Sequence, residues 1–216
     1  MKLFTFWRSQ ASYRVRIALA LKNIDAEYEV IDLSKGEQFD AGYRGVNPEM
    51  VLPTLIDDNG RRYFQSLAII EYLNELYPAP PLLPEDLQER AFVRAIAQIV
   101  VSDAHPLIVP RIRNYLRQEL EHDDRAVVNW LQHWMDDATR AIEEHLSRSP
   151  NLGKFCSGSQ PTLADICLVP HLASASMLYE SDLTRFPVVR RIFDACMELD
   201  AFARTHPKEQ ADAPSA

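Results

Sequence analysis

The hydrophobic positions recur with different spacing in the two parts of the chain. In residues 1–77, short apolar runs are interrupted by turn residues, which predicts the order β-α-β-α-β-β-α. A tight hairpin is predicted at residues 57–60, because the pair Asn59-Gly60 tolerates the positive φ that such a turn needs. The predicted strands are residues 2–6, 26–30, 54–57 and 62–64, and the predicted helices are residues 12–22, 66–77 and a short piece near 38–43.

From residue 86 onwards, the apolar residues recur about every 3.6 positions, which predicts helices. Thr162 and Asp165 have the spacing of a capping box, in which the aspartate replaces the usual glutamate. The tail is polar and contains proline, which predicts a frayed end over residues 207–216. The helical patterns cover residues 90–101, 108–120, 126–146 and 188–199, with a further apolar run at 166–169.

A proline-rich stretch separates these two patterns. Residues 78–84 contain four prolines, which cannot continue a helix and form a stiff, extended connector. The sequence therefore predicts an α/β domain over residues 1–78 and an all-α domain over residues 85–216.

Composition narrows the kinds of partner. The 216 residues carry a formal net charge of −8, which argues against nucleic acid or an anionic membrane as a partner. No run of about 20 consecutive apolar residues is present, and we expect no signal peptide, because the chain starts with a strand pattern. The three cysteines and six histidines lack metal-like spacing. An odd cysteine count suits a reducing compartment, the cytoplasm, and the apolar runs around Cys167 and Cys196 predict buried, inert thiols.

The segment from residue 6 to residue 19 joins a strand pattern directly to a helical pattern. Ser9 and Ser12 then lie where free backbone N–H groups and the positive end of a helix dipole favour an anion such as a thiolate. The alternative is an ordinary strand-to-helix turn with Ser12 as the N-cap.

Two further positions suggest a peptide ligand. Pro53 precedes a strand pattern, so the Leu52–Pro53 bond is either cis, which frees the backbone of Leu52 to pair with an extended peptide, or trans at a sheet edge. Gln65 and Ser66 start a helix, where a hydroxyl and free N–H groups bind a carboxylate or form a plain N-cap. A thiolate site, a peptide edge and a carboxylate site together match the parts of glutathione.

Several motifs make the chain resemble the zeta class of glutathione transferases. Residues 8–19 read Arg-Ser-Gln-Ala-Ser-Tyr-Arg-Val-Arg-Ile-Ala-Leu, similar to the Ser-Ser-Cys-type turn and Arg-Val-Arg-Ile-Ala-Leu run of that class. The resemblance implies the glutathione transferase fold, a thioredoxin-like N-terminal domain with an all-helical C-terminal domain, in a homodimer. Further similarity lies in residues 47–48, 52–55, 65–73, 82–84, 162–165 and 168–170.

The resemblance also implies roles for individual residues. Ser9 faces the sulfur of glutathione, Leu52 ahead of Pro53 pairs with its cysteinyl backbone, and a histidine near glutathione, possibly from the partner subunit, corresponds to His105. The remaining implied contacts are Gln65 and Ser66 at the γ-glutamyl end and Gln38 near the glycyl carboxylate.

The implied activity is glutathione-dependent cis–trans isomerisation of maleylacetoacetate or maleylpyruvate in aromatic catabolism. Such a reaction needs a thiolate, which helix N-termini and hydroxyls stabilise, and cations for the anionic substrate. Arg8 is the first candidate to bind a substrate carboxylate and Arg111 the second, because a guanidinium pairs with a carboxylate through two hydrogen bonds. Arg14 and Arg16, inside the first helix, are predicted to be structural.

Two departures from the family pattern leave other activities open. Ala11 replaces the signature cysteine and Gln10 the middle serine, which disfavours reductive dehalogenation. Ser176 and Met177 stand where the isomerases tend to carry an arginine for a substrate carboxylate. A transferase for small electrophiles such as α-haloacids, using the same Ser9 site, is the second hypothesis. A non-catalytic glutathione-binding protein is the third.

Overall fold

A mixed four-stranded sheet forms the centre of the N-terminal unit in the computed structural model, which describes residues 1–179 and 181–214. The strands lie in the order β2-β1-β3-β4. β1 and β2 run parallel, whereas β3 is antiparallel to both β1 and β4, as the β-α-β pattern and the hairpin predict. The strands are β1 (Lys2–Thr5), β2 (Glu27–Val30), β3 (Thr54–Ile56) and β4 (Arg62–Phe64).

The predicted hairpin between β3 and β4 is confirmed. The N–H of Gly60 donates to the carbonyl of Asp57 over 3.0 Å, and Gly60 has a φ of +78°, which glycine adopts without a steric cost. The carboxylate of Asp57 accepts from the N–H groups of Asn59 and Arg61, both over 2.9 Å, and these bonds hold the turn together.

Three helices complete the β-α-β-α-β-β-α order: α1 (Gln10–Leu21), α2 (Ala41–Val46) and α3 (Ser66–Leu76). The short piece predicted near residues 38–43 is instead a 3₁₀ turn (Glu37–Phe39) followed by α2. α1 packs against α3 and is buried at every position from Gln10 to Ala20. The α/β arrangement predicted for the N-terminal part is therefore confirmed.

The secondary-structure elements described in the second unit are all helical, as predicted. A π-helical turn (Ile99–Ala104) follows α4 and leads into α5. Pro106 accounts for this turn, because it lacks an N–H and cannot continue the regular hydrogen-bond pattern to residue 102. The helices of this unit are α4 (Leu87–Gln98), α5 (His105–Ile108), α6 (Pro110–Gln118), α7 (Asp124–Ser147), α8 (Leu163–Leu178) and α9 (Pro187–Met197).

The C-terminal residues pack with the N-terminal unit. One compact unit comprises Met1–Pro81 together with residues 199–214, and the other comprises Leu82–Glu198. The C-terminal segment contains α10 (Asp200–Ala203). The prediction of a frayed end is wrong for residues 207–214, because Pro207–Glu209 form a 3₁₀ turn in which Pro207 is buried, and the Asp212 carboxylate accepts from the N–H of Trp7. Residues 215–216 lie outside the described residues. The division into domains at residues 1–78 and 85–216 stays a prediction.

Among the described residues, one helical run is long and apolar enough to cross a membrane when only length and composition are considered. It extends over Leu87–Gln118, which includes α4, α5 and α6. Core helices of globular proteins satisfy the same criteria, so the run by itself does not indicate a membrane-spanning segment.

Candidate active site

The three segments predicted to bind a ligand lie at one edge of the sheet. The register pairs Thr54 of β3 with Phe4 of β1 and with Phe64 of β4. Because β3 is antiparallel to both neighbours, its first residue lies beside the ends of β1 and β4. The turn after β1, the segment before β3 and the start of α3 therefore meet at this edge.

Ser9 is the N-cap of α1. Its Oγ accepts from the N–H of Ser12 over 3.2 Å, and α1 therefore begins at Gln10, two residues earlier than predicted. The alternative with Ser12 as N-cap is wrong, because Ser12 lies inside the helix and is fully buried. Since the Ser9 oxygen already accepts this bond, its O–H hydrogen remains available to donate to a ligand.

Arg8 is exposed beside this N-cap. Its guanidinium lies 5.7 Å from the centre of the Phe6 ring, which holds it through a cation–π contact. No ion pair joins Arg8 to another residue within 1–179 or 181–214. The cation is therefore positioned near the start of α1 and can bind an anion.

The Leu52–Pro53 peptide bond is cis, which decides between the two alternatives left open by the sequence. Val51 and Thr54, on either side, are held by Tyr43 and Asn47, whose side chains donate to the carbonyl of Val51 over 2.6 and 3.0 Å. Neither backbone group of Leu52 has a hydrogen-bond partner among the described residues. This arrangement presents the N–H and C=O of Leu52 as an unpaired peptide edge.

Gln65 and Ser66 form the start of α3. Gln65 has a φ of +65°, a strained conformation for a residue with a side chain, which indicates that the surrounding structure imposes it. Ser66 is buried, and its Oγ accepts from Nη1 of Arg14 over 3.1 Å. The hydroxyl hydrogen of Ser66 is therefore free to donate to an anion at the N-terminus of α3.

Gln38 lies in the 3₁₀ turn that precedes α2. Its Oε1 atom is buried and has no hydrogen-bond partner within the described part of the chain. A buried amide oxygen without a hydrogen-bond partner destabilises the fold. A ligand that donates a hydrogen bond to this oxygen would remove that destabilisation.

His105 and Arg111 belong to the helical unit. His105 is half-buried at the start of α5, directly after the π-helical turn. Arg111 is exposed in the first turn of α6, and it forms no ion pair with another described residue.

The whole chain is similar to proteins of one family. The family descriptions "Glutathione S-transferase, N-terminal domain" and "Glutathione S-transferase, C-terminal domain" match residues 8–76 and 129–195. The chain is 43% identical to a maleylpyruvate isomerase of a Ralstonia species, over 98% of this chain and 99% of the relative. The chain belongs to the glutathione S-transferase family. The resemblance to the zeta class is also confirmed, because a solved relative 42% identical over 99% of this chain is described as a member of that class.

Other relatives of this glutathione S-transferase match over their full length. A maleylacetoacetate isomerase of Pseudomonas aeruginosa is 40% identical over 100% of both chains. A holo maleyl pyruvate isomerase, described as a bacterial zeta-class glutathione S-transferase, has a TM-score of 0.96 and 42% identity over 99% of this chain and 100% of its own. A maleylacetoacetate isomerase from Methylobacterium extorquens, with bound malonate and GSH, has a TM-score of 0.96 and 37% identity over 100% of both chains.

The cysteines of this glutathione S-transferase contribute no reactive thiol to the site. Cys156, Cys167 and Cys196 form no disulfide bond among the described residues and are all buried, as predicted for the last two. Burial raises the pKa of Cys156 and of Cys196, so both thiols stay protonated near neutral pH. The described residues include no group of three or more His, Cys, Asp or Glu placed to hold a metal.

Two arginines that the sequence predicts to be structural help to form the site. Arg14 is buried, and its guanidinium links Ser66 to Gln10, whose Oε1 accepts over 2.7 Å. Arg16 is fully buried and donates to the carbonyls of Phe6 and Trp7 over 3.3 and 3.0 Å. Two signals in the sequence concerned these arginines, their spacing within one helix and their place in the Arg-Val-Arg-Ile-Ala-Leu run, and neither specifies these partners.

Proposed function

We propose that this protein is a glutathione-dependent cis–trans isomerase of maleylacetoacetate or maleylpyruvate in aromatic catabolism. The observation that carries the proposal is the full-length similarity to proteins named as isomerases of these two compounds. The relative solved with bound malonate and GSH supports a small dicarboxylate as substrate and glutathione as cofactor.

The open polar groups of the N-terminal unit fit glutathione. The unpaired backbone of Leu52 suits the cysteinyl peptide group, and Gln65 and Ser66, at the positive end of α3, suit the γ-glutamyl carboxylate. Oε1 of Gln38, which has no partner among the described residues, would accept a hydrogen bond from an N–H group of the same peptide, with the glycyl end nearby. Each of these groups would be satisfied by a part of one tripeptide.

Ser9 would set the ionisation of the thiol. When bound, glutathione supplies a thiolate that adds reversibly to the conjugated double bond and so permits rotation about it. The O–H of Ser9 would donate to the sulfur, and the dipole of α1 would add its positive end, both of which lower the pKa of a thiol. Ser9 therefore acts in the addition and in the elimination.

Arg8 and Arg111 would bind the anionic ends of the substrate. Both are exposed arginines without an ion-pair partner in the described residues, and each can bind a carboxylate through two hydrogen bonds. Held carboxylates keep the reacting bond in place while its geometry changes, and positive charge stabilises the negative charge that develops.

We also propose a cytoplasmic homodimer, in which the N-terminal unit of one subunit pairs with the helical unit of the other and His105 can serve the partner's glutathione. Large apolar side chains are exposed in both units, among them Phe64 on β4 at 53% and Leu87 on α4 at 79%, and a partner subunit would cover such side chains if they lie in the pairing surface. Sedimentation at micromolar concentration is expected to give a dimer, and a monomer would contradict the pairing.

Conjugation of glutathione to small electrophiles such as α-haloacids is the second candidate. The end of α8 favours it, because Ser176 and Met177 provide no cation there and the hydroxyl of Ser176 donates to the carbonyl of Leu172. A second substrate carboxylate would then be held less firmly than in an isomerase with an arginine at this position.

Thiol balance during turnover separates the two candidates. An isomerase regenerates glutathione, so product accumulates in large excess over the glutathione supplied while total free thiol stays constant. The purified protein is assayed with maleylpyruvate, maleylacetoacetate and dichloroacetate, with and without glutathione. Loss of one thiol for each product formed would reject the isomerase and favour the transferase.

A further inference from the structure

The C-terminal segment, residues 199–214, reaches the turn that carries Arg8 and Ser9. The hydroxyl of Tyr13, on α1, donates to the carbonyl of Phe202 over 3.0 Å and anchors the start of the segment. Near its end, a carboxylate oxygen of Asp212 accepts from the backbone N–H of Trp7 over 2.8 Å. This bond joins residues that are 205 positions apart in the sequence.

Both backbone groups of Trp7, the N–H and the C=O, form hydrogen bonds to side chains. Asp212 accepts from its N–H, and the buried guanidinium of Arg16 donates to its C=O over 3.0 Å. Arg16 also contacts the C-terminal segment, because its Nε donates to the carbonyl of Thr205 over 3.4 Å. The segment and α1 therefore fix the same peptide group.

Trp7 immediately precedes the two candidate active-site residues. The turn closes with the N–H of Ser9 donating to the carbonyl of Phe6 over 3.0 Å, so Trp7 lies inside the loop that this bond defines. A rotation of the Trp7 backbone would move Arg8 and the N-cap together. Burial lowers the pKa of Arg16 to about 10, and the charge of Asp212 opposes that shift, so the guanidinium stays protonated.

We propose that Asp212 is a positioning residue for the active-site turn: its carboxylate holds the N–H of Trp7 and thereby places the hydroxyl of Ser9. The inference rests on the proposed function only in that Ser9 is taken to face the thiol of glutathione. It makes the C-terminal segment a part of the thiol site.

Three variants test the proposal in the full chain. Asp212→Ala removes the acceptor, Asp212→Asn keeps an acceptor but not the charge, and Glu209→Gln removes a charge from an exposed side chain of the same segment. We expect Asp212→Ala to lower kcat about tenfold with a change in the KM for glutathione of less than about twofold. Asp212→Asn is expected to stay within about twofold of the unchanged protein, and Glu209→Gln to match it.

A double-mutant cycle separates positioning from a general loss of structure. Because Asp212 is proposed to act on kcat through Ser9, Asp212→Ala is expected to have little further effect on kcat in a Ser9→Ala background, whereas a displacement of Arg8 would change the KM for the substrate. Additive losses would overturn the proposal, as would full activity of Asp212→Ala or equal losses in Asp212→Ala and Asp212→Asn.

A readout that needs no turnover keeps this test independent of the proposed function. Hydrogen exchange at the Trp7 amide is expected to be slow in the unchanged protein and in Asp212→Asn, and fast in Asp212→Ala. Slow exchange in all three would reject the role of Asp212. Absence of isomerase activity with normal exchange behaviour would reject only the assigned reaction.

Discussion

Two regions of this molecule, the start of α8 and the segments of the candidate site, differ in how their buried polar groups are bonded. In the helical unit, the buried carboxylate of Asp165 accepts from the N–H groups of Cys156 and Thr162, both over 2.8 Å, and from the Thr162 hydroxyl over 3.0 Å. In the N-terminal unit, neither the backbone of Leu52 nor Oε1 of Gln38 has a hydrogen-bond partner among the described residues. The first arrangement is closed, because its polar groups bond to one another, and it stabilises the fold. The second is open, because its polar groups are left available to a ligand.

The largest expected effect follows from the closed arrangement. Asp165→Ala leaves two backbone N–H groups and a hydroxyl without their acceptor, so we expect the free energy of unfolding to fall by about 3 kcal/mol. Asp123, an exposed N-cap on α7, is the matched control, and Asp123→Ala is expected to cost about 1 kcal/mol. Urea unfolding measures both. Equal losses would mean that burial adds nothing to this cap.

A local sequence pattern predicts the part of the closed arrangement formed by Thr162 and Asp165, but not the bond from the N–H of Cys156. Thr162 and Asp165 are three residues apart, so their reciprocal bonds could be read from the sequence. The hairpin and the helical second unit were predicted for the same reason, since each depends on patterns within a few residues.

The open arrangement was predicted only in part. Ser9, Leu52, Gln65 and Ser66 could be placed at helix starts and a strand start, but whether Pro53 was cis remained open. The bonds from Arg14 to Ser66 and from Trp7 to Asp212 depend on packing between distant segments. No local periodicity encodes such contacts, so the sequence indicated neither.

The next largest effect tests an open group. Ser9→Ala is expected to lower turnover about tenfold, or about 1.4 kcal/mol, because the thiolate loses its donor. The free energy of unfolding should fall by about 1 kcal/mol, since an N-cap is lost. Steady-state kinetics and urea unfolding provide the two measurements.

Ser12 supplies the matched control for this prediction. Its buried Oγ has no hydrogen-bond partner within the described residues, so Ser12→Ala should retain both activity and stability. A loss of activity in Ser12→Ala as large as in Ser9→Ala would move the thiolate donor away from the N-cap.

A smaller and more selective effect is expected at the exposed cation. Arg8→Met should raise the KM for a dicarboxylate about fivefold, because an ion pair to the substrate is lost. The KM for glutathione should change by less than about twofold. Arg111→Met provides the comparison in the helical unit. Equal changes in both KM values for Arg8→Met would show that this arginine shapes the thiol site.

The smallest expected effect is on the pH dependence of the unfolding free energy, and it comes from His206 in the C-terminal segment, residues 199–214. Burial, followed by the nearby charge of Lys208, lowers the pKa of His206, whose Nδ1 accepts from the N–H of Lys208 over 3.3 Å. A folded-state pKa below the unfolded value means that the unfolded chain binds a proton more readily. Stability from the neutral imidazole is therefore full above about pH 6.5 and falls as the pH drops below that value.

Replacement of His206 separates this contribution from the general loss of stability in acid. His206→Asn is expected to flatten the fall in unfolding free energy just below about pH 6.5, whereas His145→Asn, on the exposed surface of α7, controls for loss of a histidine as such. Urea unfolding across this range measures the difference. An unchanged pH dependence in His206→Asn would mean that protonation of His206 does not destabilise the fold, and that the contact of this segment with the active-site turn does not respond to mild acid.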